Sequence, residues 1–217
     1  MSAPSRQSHG GSHRHSTPTG ILIFDNVEEL DFVGPWEVFG VTNQTVHGSF
    51  PCQLLSTGKT RIRAEHGLPV GPLDSIYDAP RPRLLVIPGG SGRRVAMKDS
   101  RLLEHLKHWH AEGTILASVC TGVFVLAATG LLDGRPATTH WAAIAELRTY
   151  PAVKVVRRRF VDEGDIVTAA GISAGIDMAL YMVSGFLGKN IAKRVARLME
   201  YSPPNAVFRP RTGRRRI

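Results

Sequence analysis

The chain has 217 residues, 42% of them apolar, which is enough for one well-filled domain. Two cysteines exclude a disulfide framework and point to a reducing cytoplasm, and no apolar run has bilayer length or the pattern of an N-terminal secretory signal. The formal charge of +9 lies at the ends: without Arg6, Arg14, Arg209, Arg211, Arg214, Arg215 and Arg216, 20 basic residues face 18 acidic ones, so no specific nucleic-acid or membrane partner is expected of the body.

Residues 1–18 are rich in Ser, His, Gly and Pro, lack apolar periodicity and are expected to be disordered. His9, His13 and His15 have no Cys or carboxylate beside them and are not read as a metal site. Residues 20–24 read as the first strand. The connection 25–31 follows, and Gly34-Pro35 opens a helix in which Val38, Phe39 and Val41 supply apolar surface. Asp31 is thus expected just after the strand, where an open parallel α/β sheet places its ligand crevice. A cap or a surface acid is the other reading of that residue.

Residues 52–56 and 61–64 read as short strands, with Cys52 packed. Residues 69–82 are a proline-punctuated connection with one helical turn at 75–77. The strand 84–87 runs into Pro88-Gly89-Gly90-Ser91-Gly92, which lacks the dinucleotide and P-loop spacings. Its Gly90 N–H is a candidate oxyanion donor, with plain turn-making as the alternative. Ser100 is placed as the cap of a helix to residue 110, with Leu102, Leu103, Leu106 and Trp109 as its stripe. His105 and His108 share one side of that helix. They lack a third ligand and are read as solvated.

The strand 115–119 ends at Cys120, and an apolar helix, 123–132, begins at once. Ser118 and Gly122 stand two before and two after Cys120, as small residues do around the nucleophile of a strand–turn–helix elbow. Such a bend sets the sulfur over the N–H groups of a helix start, which favours thiolate. The same residues also fit a buried cysteine packed as a small hydrophobe. Residues 137–141 read as a strand entering a helix, 142–147, with His140 at the junction. Strands follow at 153–156, 160–161 and 166–169. A nearly all-apolar central helix then runs to about 186, with Asp177 as a structural acid in its first turns. A last helix spans 191–200, and 202–217 is expected as a solvated basic tail. Strands alternating with helices over 19–201 describe a single α/β domain with a mostly parallel sheet.

Five segments, Glu29-Leu-Asp31-Phe-Val-Gly-Pro35, Val86-Ile-Pro-Gly-Gly90, Ser118-Val-Cys120-Thr-Gly122, Ala137-Thr-Thr-His-Trp141 and Gly171-Ile-Ser-Ala-Gly-Ile-Asp177, carry a resemblance over 20–201. In their order and spacing the chain resembles the ThiJ/PfpI branch of the class I glutamine amidotransferase-like superfamily, and within it the isonitrile (isocyanide) hydratases. The resemblance implies a flavodoxin-like three-layer sandwich, a homodimer and a small-molecule electrophile as partner; the sequence carries no metal or cofactor signature, so neither is expected. It makes Cys120 the nucleophile, Asp31 the acid hydrogen-bonded to it, and Thr121 the threonine that hydratases carry beside the nucleophile. His140 matches a histidine near the site with no fixed role.

The implied reaction hydrates an isocyanide to an N-substituted formamide through a thioimidate on Cys120. Other members imply rivals: a glyoxalase or deglycase activity, or a redox and stress sensor with an oxidisable Cys120. Amidotransfer is not expected, because the histidine after Cys120 is followed two residues on by Ala142 and not by glutamate. The branch also includes the sensor domains of AraC-type regulators, but sixteen residues after Tyr201 are too few for a helix-turn-helix domain, so none is expected. An ionised Asp31 would oppose a Cys120 thiolate, so the two are expected to share a proton.

Overall fold

The computed structural model describes residues 16–209. In chain order the strands are β1 (Thr19–Leu22), β2 (Cys52–Ser56), β3 (Ile62–Arg63), β4 (Pro69–Val70), β5 (Asp74–Ser75), β6 (Leu84–Ile87), β7 (Ile115–Val119), β8 (Pro136–Ala137), β9 (Lys154–Val155), β10 (Phe160–Asp162) and β11 (Ile166–Ala169). The helices are α1 (Glu29–Thr45), α2 (Arg93–Ala96), α3 (Ser100–Ala111), α4 (Val123–Ala128), α5 (Ile144–Leu147), α6 (Ala174–Leu187) and α7 (Lys189–Leu198).

Seven strands form one sheet in the order β10-β11-β7-β6-β1-β2-β5. Every neighbouring pair is parallel except the β10/β11 hairpin. Strands β1, β6, β7 and β11 are buried at every position, as a parallel sheet covered on both faces requires. The period-2 alternation sorts their side chains between two cores. Ile21, Val86, Ala117 and Val167 pack under α1, α6 and α7, whereas Leu22, Leu85, Leu116 and Ile166 pack under α3 and α4. The result is the expected single-domain, three-layer α/β sandwich.

Several local expectations shift. Helix α1 begins at Glu29, so Asp31 stands in its first turn and not in the preceding connection, and Pro35 lies inside the helix. Proline has no N–H for the Asp31 carbonyl, yet packing of Phe32, Val38 and Phe39 into the core carries the helix through it. Asp99, not Ser100, caps α3, its side chain accepting from the Leu102 N–H at 3.0 Å. Ser75, expected in a helical turn, pairs with Ser56 at the sheet edge. Helix α4 stops at Ala128, short of residue 132.

The expected strand 137–141 is cut to two residues, because Thr138 and Thr139 bond sideways to Thr168 and Cys120. His105 is not solvated: its ring packs between Tyr77 and Trp109 and bonds the Ile76 carbonyl at 3.0 Å. Of the expected N-terminal tail, residues 1–15 lie outside the described residues; Thr17 is buried and donates its N–H to the Ser49 carbonyl at 2.7 Å. Of the expected C-terminal tail, 202–209 pack against α6 and α7 through a turn at Asn205–Phe208 with Val207 fully buried, and 210–217 lie outside the described residues. Among the described residues no helix is long and apolar enough to cross a membrane.

Candidate active site

The carboxyl ends of β1, β6 and β7 lie side by side because the three strands are parallel neighbours. Three connections therefore meet there: the entry to α1, the turn 88–92, and the bend at Cys120. Cys120 has φ +55°, a left-handed conformation that a non-glycine residue holds at a strain of about 1–3 kcal/mol. The surroundings enforce it. A Cβ on Gly122 would run into the Ile87 carbonyl oxygen, and one on Gly171 would collide with the Cys120 Cβ itself. The Thr139 hydroxyl donates to the Cys120 carbonyl at 2.8 Å and holds the bend from outside.

The turn 88–92 is stitched to both neighbours. The Glu28 N–H donates to the Gly89 carbonyl at 3.0 Å, and the Gly89 N–H donates to Asp31 Oδ2 at 2.9 Å. The Gly90 N–H donates to Thr121 Oγ1 at 3.1 Å. Gly90, expected as an open oxyanion donor, is therefore engaged by Thr121. It serves the turn instead, with φ +109° and the Asn26 carbonyl pressed against it.

Asp31 is fully buried, and its Oδ1 makes no hydrogen bond of ordinary geometry. Burial lifts its pKa to about 8. The charge of Glu28 adds to that rise, while the Gly89 N–H and the Cys120 thiol work against it. Cys120 is 7% exposed, and burial pushes its thiol up to about 12. Asp31 adds to the rise through both charge and hydrogen bonding, and the Thr121 backbone N–H offsets a part. Burial and Asp31 thus oppose the thiolate that the helix start favours. Desolvation and a neighbouring acid outweigh a helix of six residues entered through a tight 3₁₀ turn. Both shifts favour the neutral forms, a thiol beside a carboxyl group.

The fold brings Cys120, Asp31, Thr121 and Gly90 together. His140 stands at the rim: its ring is half-buried beside Trp141, and it acts on the carboxyl of Glu28. Trp141 is 79% exposed and lines no core, whereas Phe32 belongs to the core. Sequence reasoning missed Glu28, whose charge bears on both Asp31 and Cys120, and the anchors Thr139 and Gly171. The two anchors sit within segments already singled out by the resemblance; Glu28 gave no signal beyond its nearness to Asp31. Among the described residues, Glu28, Glu29 and His66 bring three ligand atoms within 4.8 Å of one another, a group that could meet a cation, although His66 Nδ1 is already bonded to Glu29 at 2.7 Å.

A buried elbow cysteine paired with an acid from the first helix of a parallel sandwich is the arrangement against which known proteins can be compared. Residues 20–184 match the DJ-1/PfpI family. The chain is 35% identical over 185 residues to isonitrile hydratase from Pseudomonas putida, covering 85% of this chain and 78% of that enzyme. It is 26% identical over 194 residues to the HTH-type transcriptional regulator GbdR of Pseudomonas aeruginosa, covering 87% of this chain but only 52% of the regulator. Among solved structures, a ThiJ/PfpI family protein from Pseudomonas syringae superposes with a TM-score of 0.78 at 26% identity, covering 94% of this chain and 83% of that one. The chain belongs to the DJ-1/PfpI family.

Proposed function

We propose that this protein hydrates an isocyanide to the N-substituted formamide, with Cys120 as nucleophile and Asp31 as proton carrier. The observation that carries the reading is the fully buried Asp31 carboxyl beside the Cys120 thiol, where burial lifts its pKa to about 8. The similarity to isonitrile hydratase supports the substrate class.

An isocyanide, R–N≡C, holds an electron pair on its terminal carbon and needs both a proton and a nucleophile there. The Asp31 carboxyl group delivers its proton to that carbon as the sulfur bonds to it, and the thiol proton passes to the carboxylate just formed. The product is a thioimidate, R–N=CH–S–Cys120. Water then adds to the same carbon and a proton to nitrogen, and the tetrahedral adduct expels the thiol to leave R–NH–CHO. The balance is one water added and no electrons transferred. The hydration is divided into two easier additions, each with a positioned acid or base. Thr121 and Gly89 tie the turn to the elbow and to Asp31, which fixes the acid relative to the sulfur. Peroxide sensing needs a thiolate, which burial and Asp31 disfavour here.

The test is formamide production from an alkyl isocyanide, followed by NMR, with methylglyoxal as the competing electrophile. Formamide from the wild type and none from Cys120→Ala is the expected outcome. Turnover of methylglyoxal alone, or equal formamide from both proteins, overturns the reading.

A further inference from the structure

The turn 88–92 carries the Gly89 N–H that bonds Asp31, yet little in its own sequence makes it rigid. Gly89, Gly90 and Gly92 leave its backbone free, and α2, which follows at once, spans four residues without a side-chain cap. Its hold on the fold comes from neighbours. On one side the Glu28 N–H donates to the Gly89 carbonyl at 3.0 Å, and the Gly92 N–H to the Asn26 carbonyl at 3.1 Å. Those bonds fix the turn to the connection that leads to Asp31. On the other side it must also be tied to the elbow, or acid and sulfur would drift apart. The bond from the Gly90 N–H to Thr121 is one such tie. Arg93 is the other.

Arg93 opens α2 and is a buried cation, 4% exposed. Its guanidinium lies over the Phe124 ring, 4.0 Å from the centroid, and its Nη2 donates to Glu146 Oε2 at 2.6 Å. Phe124 is the second residue of α4, the helix into which the Cys120 bend leads, and Glu146 belongs to α5, just after His140 and Trp141. One side chain therefore joins the turn to both elements. Stability alone accounts poorly for it. Nη1 is buried with no hydrogen-bond partner among the described residues. A buried cation with a donor left over is often no more stabilising than an apolar side chain of similar volume.

We propose that Arg93 is a positioning residue for the Asp31–Cys120 pair: by pinning the turn 88–92 to α4 and α5, it sets the acid against the sulfur and keeps water from the carboxyl group. Its effect on turnover rests on the reading of Asp31 as the acid. The charges that bear on Asp31 come from Glu28 on its own connection and Cys120 on the elbow, and the turn supplies only the Gly89 N–H. The titratable groups beside Arg93 are Glu146 and Tyr150. Arg93 thus acts on Asp31 through the place of the turn and not through its charge. Gly89 lies so close that a Cβ on it would come within 2.9 Å of Asp31 Oδ2, so the turn covers the carboxyl group on that side. Once released, the turn admits water. Water replaces the Gly89 N–H as a donor and relieves the burial that is the largest cause of the raised pKa, so the carboxyl group must then titrate lower.

The experiment follows the Asp31 carboxyl against pH by carbon-13 NMR of the aspartate-labelled full chain, with its signal assigned by its loss in Asp31→Asn. Arg93→Met keeps an apolar side chain over Phe124. It should lower the midpoint by at least about one pH unit while the melting temperature stays within about 2 °C of the wild type. Arg93→Lys can still reach Glu146 from above the ring and should restore most of the shift. Glu146→Gln keeps an acceptor but not the charge; it should give a smaller shift in the same direction and guards against a misfolded Arg93→Met. Arg94→Met removes an exposed charge from the same helix and should leave the midpoint where it is. The descending limb of kcat/KM for an alkyl isocyanide should follow the midpoint in every variant. A midpoint that Arg93→Met leaves unmoved overturns the proposal, as does one that moves equally in Arg94→Met or that Arg93→Lys fails to restore. So does a shift that appears only with a fall in melting temperature, which would make Arg93 a structural residue. The titration needs no substrate: a wild type that makes no formamide ends the hydratase reading, and the midpoints still decide the role of Arg93.

Discussion

At the scale of single residues, the chemistry rests on a proton. Cys120 and Asp31 are both driven toward their neutral forms by the same burial, and Asp31 makes ionisation of Cys120 harder still, whereas the Cys120 thiol offsets a part of the rise at Asp31. The first proton to leave on raising the pH belongs to the pair, and it leaves near 8, the value to which Asp31 is lifted. The acid form is the one that the reaction needs. On this basis kcat/KM for isocyanide hydration should stay level through neutrality and fall about tenfold per pH unit above about 8. Asp31→Asn keeps the shape of the side chain but has no proton to deliver. Turnover should drop by about 10²–10⁴-fold, and the descending limb near 8 should vanish. A variant with full activity, or a wild-type profile that rises through 8 as a thiolate forms, would show that sulfur attacks without the acid.

At the scale of elements, the elbow works because backbone from three connections is packed too closely for side chains. Gly122 sits against the Ile87 carbonyl, and that oxygen belongs to β6, a strand held on both sides. Neither group has room to yield. Gly122→Ala should therefore cost about 1–3 kcal/mol in overpacking, a fall of roughly 2–4 °C in melting temperature for each kcal/mol. Calorimetry of the variant decides it, and an unchanged melting temperature would mean that the elbow is looser than its contacts imply. The same crowding explains what could be read from sequence. Ser118 and Gly122 flank Cys120 with the small side chains that a sharp bend needs; β6 shows as a continuous apolar run, and β7 and β11 as runs broken only by Ser118 and Thr168, because both faces are covered. The start of α1 was hidden, since Pro35 looks like a first-turn proline and only tertiary packing extends the helix back over Asp31. Strand β5 was hidden because Asp74 and Ser75 have no strand preference of their own and are placed by β2. The protonated thiol was hidden as well. A helix start can be read locally, whereas desolvation exists only once the site is assembled.

At the scale of the whole molecule, the same buried groups set how stability varies with pH. Asp31 keeps its proton in the fold up to about 8, while the unfolded chain releases it near the ordinary carboxyl value of 3.8. Between those values the native state binds more protons than the unfolded state, so stability falls as pH rises, by at most about 1.4 kcal/mol per unit. The thiols of Cys52 and Cys120, both pushed up to about 12 by burial, extend the decline above 9. Asp165 acts in the opposite sense. Its partners Arg135 and His110 outweigh its burial and hold its pKa below 3.8, so its contribution is present above that value and is lost in stronger acid. It is half-exposed and correspondingly weak. The stability maximum should then lie on the acid side of neutrality. Melting temperatures of the wild type should decline from about pH 5 to about pH 8, whereas Asp31→Asn should melt higher at neutral pH, show little slope over that range, and converge on the wild type near pH 4. If the two proteins instead stay a constant distance apart, or the wild type gains stability toward pH 8, the Asp31 carboxyl is ionised inside the fold and the proton that the hydration requires is not there.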